Sequence, residues 1–137
     1  MPHYGLTQEG APTTIRANAV LTSSYVASSV IDLKSYDSVS VGLIIGTTNA
    51  ETISTKFQWS TDNSAWFDEQ VITNGTASGG EQPQTANSKR VDISGATAGN
   101  IYMERFRRLA RYFRTVSKSG GTTATLSVIA KPAVNSN

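Results

Sequence analysis

The sequence predicts an all-β protein, an antiparallel β-sandwich or jelly roll with an extended N-terminal arm. Apolar and polar residues alternate with a period of two in several short stretches, and clusters of turn-forming residues separate those stretches. Seven or eight short strands with turn signals between them, and at most one short helix, are typical of such a fold. At 137 residues the chain has the length of one domain and can bury a substantial core.

The first fourteen residues, MPHYGLTQEGAPTT, predict the arm, because two prolines and two glycines interrupt them and no apolar period runs through them. We therefore divide the chain into an arm over residues 1–14 and a single β-sandwich domain over residues 15–137. The domain begins with a strand in TIRANAVL, where a period of two places on one face Ile15, Ala17, Ala19 and Leu21.

Two further strands have a fully apolar face or nearly so. After the turn KSYD, which joins two strands, the inward residues are Val39, Val41, Leu43 and Ile45. In ETISTKFQWS they are Ile53, Thr55, Phe57 and Trp59. The polar turn TDNS then predicts a hairpin that returns through AWFDEQV. We expect Trp59 in the core, with Trp66 across from it on the returning strand, covering the end of the hairpin.

The second half of the chain is less regular. Residues 73–88, TNGTASGGEQPQTANS, predict a long loop, because they contain no apolar residue larger than alanine. KRVDIS predicts a short strand, and TTATLSVIAKP predicts a strand that ends just before Pro132. The segment NIYMERFRRLARYFRTVSKSGG fits either a helical stripe or a strand, so the state of Met103 to Arg108 stays open.

The groups that an enzyme needs are scarce. His3, the one histidine, lies in the arm, so no serine can be paired with a histidine on a rigid element. Asp62, Asp68 and Glu69 could supply paired carboxylates, but the first is interpreted as a turn residue and the others as a solvated strand end. Without cysteine, regularly spaced oxygen ligands or a phosphate-binding glycine loop, the sequence predicts no enzyme, no metal and no cofactor.

Charge and hydropathy limit the partners. No apolar stretch approaches the roughly 18 residues of a spanning helix, and the N-terminus lacks the features of a signal peptide. We therefore expect a product that is made in the cytoplasm, is not secreted by the general route and has no membrane partner. The net charge of +2 argues only weakly for nucleic acid.

One charge feature is unusual. The stretch ERFRRLARYFR gathers five of the seven arginines, Arg105, Arg107, Arg108, Arg111 and Arg114. With aromatic residues between them, they fit a single-stranded nucleic acid surface, a protein interface, or a solvated face opposite a core stripe. Because the chain has no other basic patch, we favour the last two and do not expect nucleic acid as the partner. The predicted interface residues are Tyr4, Arg105, Arg107, Arg108 and Arg111.

Four stretches resemble, in this order, motifs of a family of small tailed-phage virion proteins: VIDLKSYDSVSVGLIIGTT, TKFQWSTDNSAWFDE, ARYFRTVSKSGG and ATLSVIAKP. The resemblance covers residues 29–70 and 110–132 and consists of turns and strands; the arginines at 105–108 match no fixed pattern. It implies a jelly-roll capsid decoration, or cement, protein. Such a protein is made in the host cytoplasm, binds the major capsid protein on the outer surface of the virion as a homotrimer, and stabilises the shell.

Two alternatives stay open. The chain could be a carbohydrate-binding module of a tail or fibre protein, with a sugar platform drawn from Trp66, Trp59, Tyr25 or Tyr36. An exposed coplanar row of these rings would favour that function, and burial of Trp59 would oppose it. A third interpretation is a single-stranded nucleic acid binder that uses the arginine run.

Overall fold

A computed structural model describes the backbone of residues 7–48, 50–74, 84–94 and 99–135. Within these ranges the chain forms strands and no helix, so the all-β prediction is confirmed. The strands are β1 (Thr7–Glu9), β2 (Thr13–Val20), β3 (Val26–Ala27), β4 (Ile31–Asp32), β5 (Ser38–Thr47), β6 (Ile53–Ser60), β7 (Phe67–Asp68), β8 (Gln70–Asn74), β9 (Gln84–Ser88), β10 (Arg90–Ile93), β11 (Ile101–Arg107), β12 (Tyr112–Ser119) and β13 (Thr125–Asn135). The described residues contain no helix able to span a membrane.

The strands form two antiparallel sheets and a separate hairpin. In sheet A the order is β1, β13, β5, β11, and β2 pairs with β13 beyond the end of β1. In sheet B the order is β10, β6, β12, β3, with β4 also on β12 and β7 also on β6. Strands β8 and β9 pair with each other. The sandwich prediction is consistent with this arrangement, in which the chain passes repeatedly from one sheet to the other; the jelly roll stays a prediction.

The core lies between the two sheets and is aromatic at its centre. The Phe57 and Phe106 rings, from opposite sheets, lie with their centroids 4.6 Å apart. Trp59 packs on Phe113 at 4.8 Å, a separation that suits the tilted geometry aromatic rings prefer. The alternating residues predicted for β5 and β6 are all at most 1% exposed, which confirms the inward faces of both strands.

Trp59 is fully buried, so its predicted place in the core is confirmed. The register of the hairpin differs from the prediction by one residue, because Phe67 rather than Trp66 lies opposite Trp59. Trp66 therefore lies outside the core at the end of the hairpin. It is half-buried, with the Arg114 guanidinium 4.2 Å from its ring centroid.

Strand β2 forms where a strand was predicted, but the residues predicted for its buried face are not all buried. Ile15 and Leu21 are buried, whereas Ala17 and Ala19 are exposed. The reason is that the pairing of β2 with β13 shifts register twice, which breaks the regular alternation. Arg16 bonds to the backbone at this irregularity, its Nε donating to the carbonyl of Leu126 at 3.2 Å.

Three expectations for the polar segments differ from the structure. Residues 1–6 lie outside the described ranges, but Thr7–Glu9 pairs with β13, so this part of the arm has a partner in its own sheet. The loop prediction is wrong at both ends, because β8 and β9 pair with each other as antiparallel strands. The segment left open between helix and strand forms β11 and β12, joined by a turn.

Strand β13 does not end before Pro132 but continues through it to Asn135. The Pro132 carbonyl accepts from the Gly10 N–H at 2.7 Å, on the side of the strand where β1 and β2 leave a gap. In an antiparallel sheet the N and the carbonyl of one residue point to the same side. The missing N–H of the proline therefore faces that gap, where no strand needs a donor.

Candidate interface

Three strands of sheet A bring their outward side chains into rows. Because successive residues of a strand point to opposite faces, the residues between the buried ones of β5 face away from the core. Pairing places Gly42 between Met103 of β11 and Ile129 of β13. The neighbouring row on one side is Ile101, Ile44 and Ser127, and on the other side it is Arg105, Ser40 and Lys131.

The absence of a side chain at Gly42 leaves a groove of about 320 Å³. A Cβ atom on Gly42 would meet no other atom within 4 Å, so the space above it is open. Met103 and Ile101, at 69% and 59% exposure, are the two most exposed large hydrophobic residues of the described chain. The groove is lined by Pro12, Ser40, Gly42, Ile44, Ile101, Met103, Ile129 and Lys131.

One end of this surface is basic. Arg105 and Arg107 are exposed on β11, opposite Ser40 and Ser38 of β5. Arg105 donates from Nη2 to the Ser38 hydroxyl at 3.1 Å, which fixes it against the sheet. Together with Asp37 and Ser38, the two arginines line a shallow depression next to the groove. We call the groove and these two arginines the sheet A surface.

The other arginines of the run lie elsewhere. Arg108 donates from Nη1 to three carbonyls of the β4–β5 connection, of which Leu33 is the closest at 2.9 Å. Arg111 pairs with Asp32 at 2.8 and 2.9 Å on sheet B. Arg114 stacks on Trp66 and donates to the Gln58 side chain at 2.8 Å. The run that is continuous in sequence is therefore divided between both sheets and a turn.

The outer face of sheet B is polar and internally paired. Lys56 and Asp68 form an ion pair at 3.7 Å, and Arg90 pairs with Asp92 at 3.0 Å. Burial raises the pKa of Asp68, but hydrogen bonds from the side chains of Gln58 and Ser88, with the Lys56 ammonium, bring the pKa below its usual value.

The rings of the carbohydrate alternative do not form an open platform. Trp59 is buried, and Tyr36 packs against the core. Tyr25 has the ammonium groups of Lys56 and Lys118 over its ring, at 4.9 and 4.8 Å from the centroid. Trp66 is covered on one side by Arg114. The burial of Trp59 opposes this function.

The carboxylates named by the sequence have structural contacts. Asp62 accepts from the backbone N–H groups of Ser64 and Ala65, both at 2.9 Å, which confirms it as a turn residue and lowers its pKa. Burial raises the pKa of Glu69, opposed in part by Lys89 and by the Trp59 indole. That indole N–H is buried and has no partner at hydrogen-bonding geometry. Among the described residues no cluster of three or more potential metal ligands occurs.

The edge of sheet A carries an inward charge. Glu104 of β11 accepts from the Tyr102 hydroxyl at 2.6 Å and pairs with Lys89 at 2.8 Å. The hydrogen bond to Glu104 raises the pKa of Tyr102 to about 12. Among the described strands β11 pairs with β5 alone. A charge that points inward from such an edge discourages pairing with the edge of another molecule.

Of the predicted interface residues, the structure brings Arg105 and Arg107 together and places Arg108 and Arg111 apart from them. Tyr4 and His3 lie outside the described residues. Sequence reasoning missed Gly42, Ile101, Met103 and Lys131. The mixed outward face of β5 was a signal, but which residues stand beside Gly42 depends on the register of three strands.

The class defined by this fold and surface is an antiparallel β-sandwich with an apolar groove on one outer face. Comparison with models of protein families finds no match, and comparison with curated proteins finds none either. Among solved structures, the chain is similar to the SPBc2 prophage-derived protein YomS, with a TM-score of 0.53 and 13% sequence identity. The similarity covers 96% of this chain and 97% of that one, and at this identity it concerns the fold.

Proposed function

We propose that the chain is a structural protein of a tailed bacteriophage virion, a capsid decoration or cement protein that binds the outer shell and stabilises it without catalysis. The observation that carries this proposal is the sheet A surface. Met103 and Ile101, the two most exposed large hydrophobic residues of the described chain, lie beside exposed arginines. Contiguous exposed apolar surface with a polar margin is typical of a protein interaction site.

Two independent lines support a phage origin. The turn and strand motifs resemble those of small virion proteins, and the whole fold is similar to that of a prophage-derived protein. Neither line distinguishes a head protein from a tail protein. The location on the capsid surface and the major capsid protein as partner are therefore the more specific part of the proposal.

The proposed mechanism is multivalent. A surface of this size gives modest affinity for one contact, but a homotrimer bound to a repeating lattice makes several contacts at once, and avidity multiplies them. A ligand that binds the assembled shell and not the dissociated subunits stabilises the shell by mass action.

Binding to empty shells of the phage that encodes the chain tests the proposal. We expect the protein to co-sediment with shells and to raise the temperature at which they dissociate. Sedimentation velocity of the free protein tests the trimer. If the intact protein does not bind the shells, the proposal is wrong.

A labelled single-stranded oligonucleotide, at low and at moderate salt, provides the comparison. Retention of the oligonucleotide, with an affinity that falls steeply with salt and is lost in Arg105→Ala with Arg107→Ala, would instead support the nucleic acid alternative.

A further inference from the structure

The shape and the charge of the sheet A surface define what fits it. We infer that the groove seats an extended segment of a partner chain, in which one large apolar side chain is followed at alternate positions by two carboxylates. The inference rests on the proposed function only for the identity of that partner, a subunit of the capsid shell.

The apolar position follows from the space over Gly42. The groove has an open floor at Gly42 between the side chains of Met103 and Ile129. Its volume of about 320 Å³ is at the lower end of the range for binding pockets, which is suited to a side chain rather than to a large ligand.

The acidic positions follow from the spacing of the rows. Arg105 lies one row beyond Gly42, and Arg107 lies two rows beyond it. Successive rows on one face of a strand are about 7 Å apart, and the same repeat separates alternate side chains of an extended peptide. A segment lying along the strands therefore places side chains i, i+2 and i+4 over Gly42, Arg105 and Arg107. The expected pattern is apolar, any, acidic, any, acidic.

Among the acidic side chains that the structure describes, none is available to serve a second copy, which favours a different protein as the source of these carboxylates. Eight acidic side chains are described, and each already interacts within its own chain: Asp32, Asp37, Glu51, Asp62, Asp68, Glu69, Asp92 and Glu104. A copy that offered one of them to the arginines would first lose an internal contact. Charge complementarity therefore favours a partner that brings its own acidic residues.

The probe is a capped nonapeptide with one leucine, glutamates two and four positions after it, and serine or threonine elsewhere. Titration into the isotope-labelled protein, followed by NMR at the Gly42 amide and the Met103 methyl group, detects even millimolar affinity. We expect shifts confined to the sheet A surface, and binding about tenfold weaker after Arg105→Ala with Arg107→Ala. The same peptide with lysines in place of the glutamates is expected to cause no shifts.

Gly42→Leu fills the groove and is expected to abolish peptide binding while leaving the melting temperature unchanged, because the space above Gly42 is open. Ile101→Ser and Ile72→Ser form a matched pair, since the two isoleucines are 59% and 58% exposed and only the first lines the groove. We expect Ile101→Ser to weaken peptide and shell binding and Ile72→Ser to change neither. These variants decide the question if Gly42→Leu does not fold.

Shell binding separates this inference from the proposed function. If groove variants bind shells as well as the wild type does, or if the lysine peptide binds as well as the acidic one, the inference is wrong and the decoration function can stand. If the acidic peptide binds in the groove but the protein does not bind shells, the inference holds and the capsid is not the partner. If the protein binds neither the acidic peptide nor the shells, both the inference and the decoration function are wrong.

Discussion

The outer faces of the two sheets differ, although both belong to strands that alternate in the same way. On sheet B, Lys56, Asp68 and Arg114 contact charged, amide or aromatic groups of their own chain. On sheet A, Gly42 and Met103 open an apolar groove. A sandwich needs only one face of each sheet for its core, so the outer face is free to match its surroundings. We interpret sheet B as a face adapted to water and sheet A as a face adapted to a partner.

The largest loss of stability is expected for a substitution in the core, which belongs to neither outer face. Trp59→Ala is expected to lower the free energy of unfolding by about 3 to 5 kcal/mol, because the ring is fully buried against Phe113. Trp66→Ala is expected to cost clearly less, since Trp66 is half-buried outside the core. Urea denaturation of both variants measures the difference. Equal, small losses would mean that Trp59 does not support the core.

The next largest loss of stability is expected at the end of the sandwich, away from both outer faces. Glu51 accepts from the backbone N–H groups of Thr122, Thr123 and Ala124 and from the hydroxyls of Ser119 and Thr123. These bonds, led by those of the Thr123 and Ser119 hydroxyls, lower the pKa of Glu51 from 4.5 to about 2. Glu51→Ala is therefore expected to lower the melting temperature at neutral pH and to leave shell binding intact.

The pH dependence of that variant has a definite sign. Because the folded pKa is depressed, the stabilisation by Glu51 is complete above pH 4.5 and is lost as the pH falls through about 2. The difference in melting temperature between wild type and Glu51→Ala should therefore narrow towards pH 2. A difference that is constant over that range would contradict the role of the carboxylate.

A smaller effect tests the pairing on sheet B. Asp68→Asn weakens the ion pair with Lys56 and the hydrogen bonds from Gln58 and Ser88, and we expect a loss of about 1 kcal/mol in the free energy of unfolding. Chemical denaturation measures it, with Arg107→Ala on sheet A as the control that changes stability little. An Asp68→Asn variant as stable as the wild type would remove the contrast between the faces.

The smallest effect on stability is expected on sheet A. Ile101→Ser should change the free energy of unfolding by no more than about 0.5 kcal/mol, because the side chain is mostly in water. Thermal denaturation beside the shell-binding assay checks both properties. A large loss of stability would identify Ile101 as a structural residue and would weaken the contrast.

The predictable parts of the fold are those where burial forces a pattern. The inward residues of β5 and β6 alternate without exception, and Trp59 follows that alternation into the core. The β8 and β9 hairpin lacks such a pattern, because its strands pair with each other outside the two main sheets and leave Val71 and Ile72 exposed. Backbone pairing without burial of apolar residues on one face leaves no period in the sequence to detect.

The candidate interface was harder to predict for a related reason. The arginine run is visible in the sequence, but the turn between β11 and β12 sends Arg105 and Arg114 to different sheets. Gly42 and Ile129 are far apart in sequence and meet only through strand register. A surface assembled from three strands in this way becomes visible once the pairing is known.

The inward charge of Glu104 affects how subunits can associate with one another before they bind a partner. Under the proposed function, subunits must stay dispersed until they meet a shell, and an open strand edge at high concentration is a route to fibres. By placing a carboxylate, held by Lys89 and Tyr102, behind the β11 edge, the chain makes edge-to-edge growth costly. The groove on the face of the sheet needs no free edge. The inward charge at the edge and the groove on the face therefore act separately: the first opposes growth through the strand edge, and the second leaves the face open to the proposed partner.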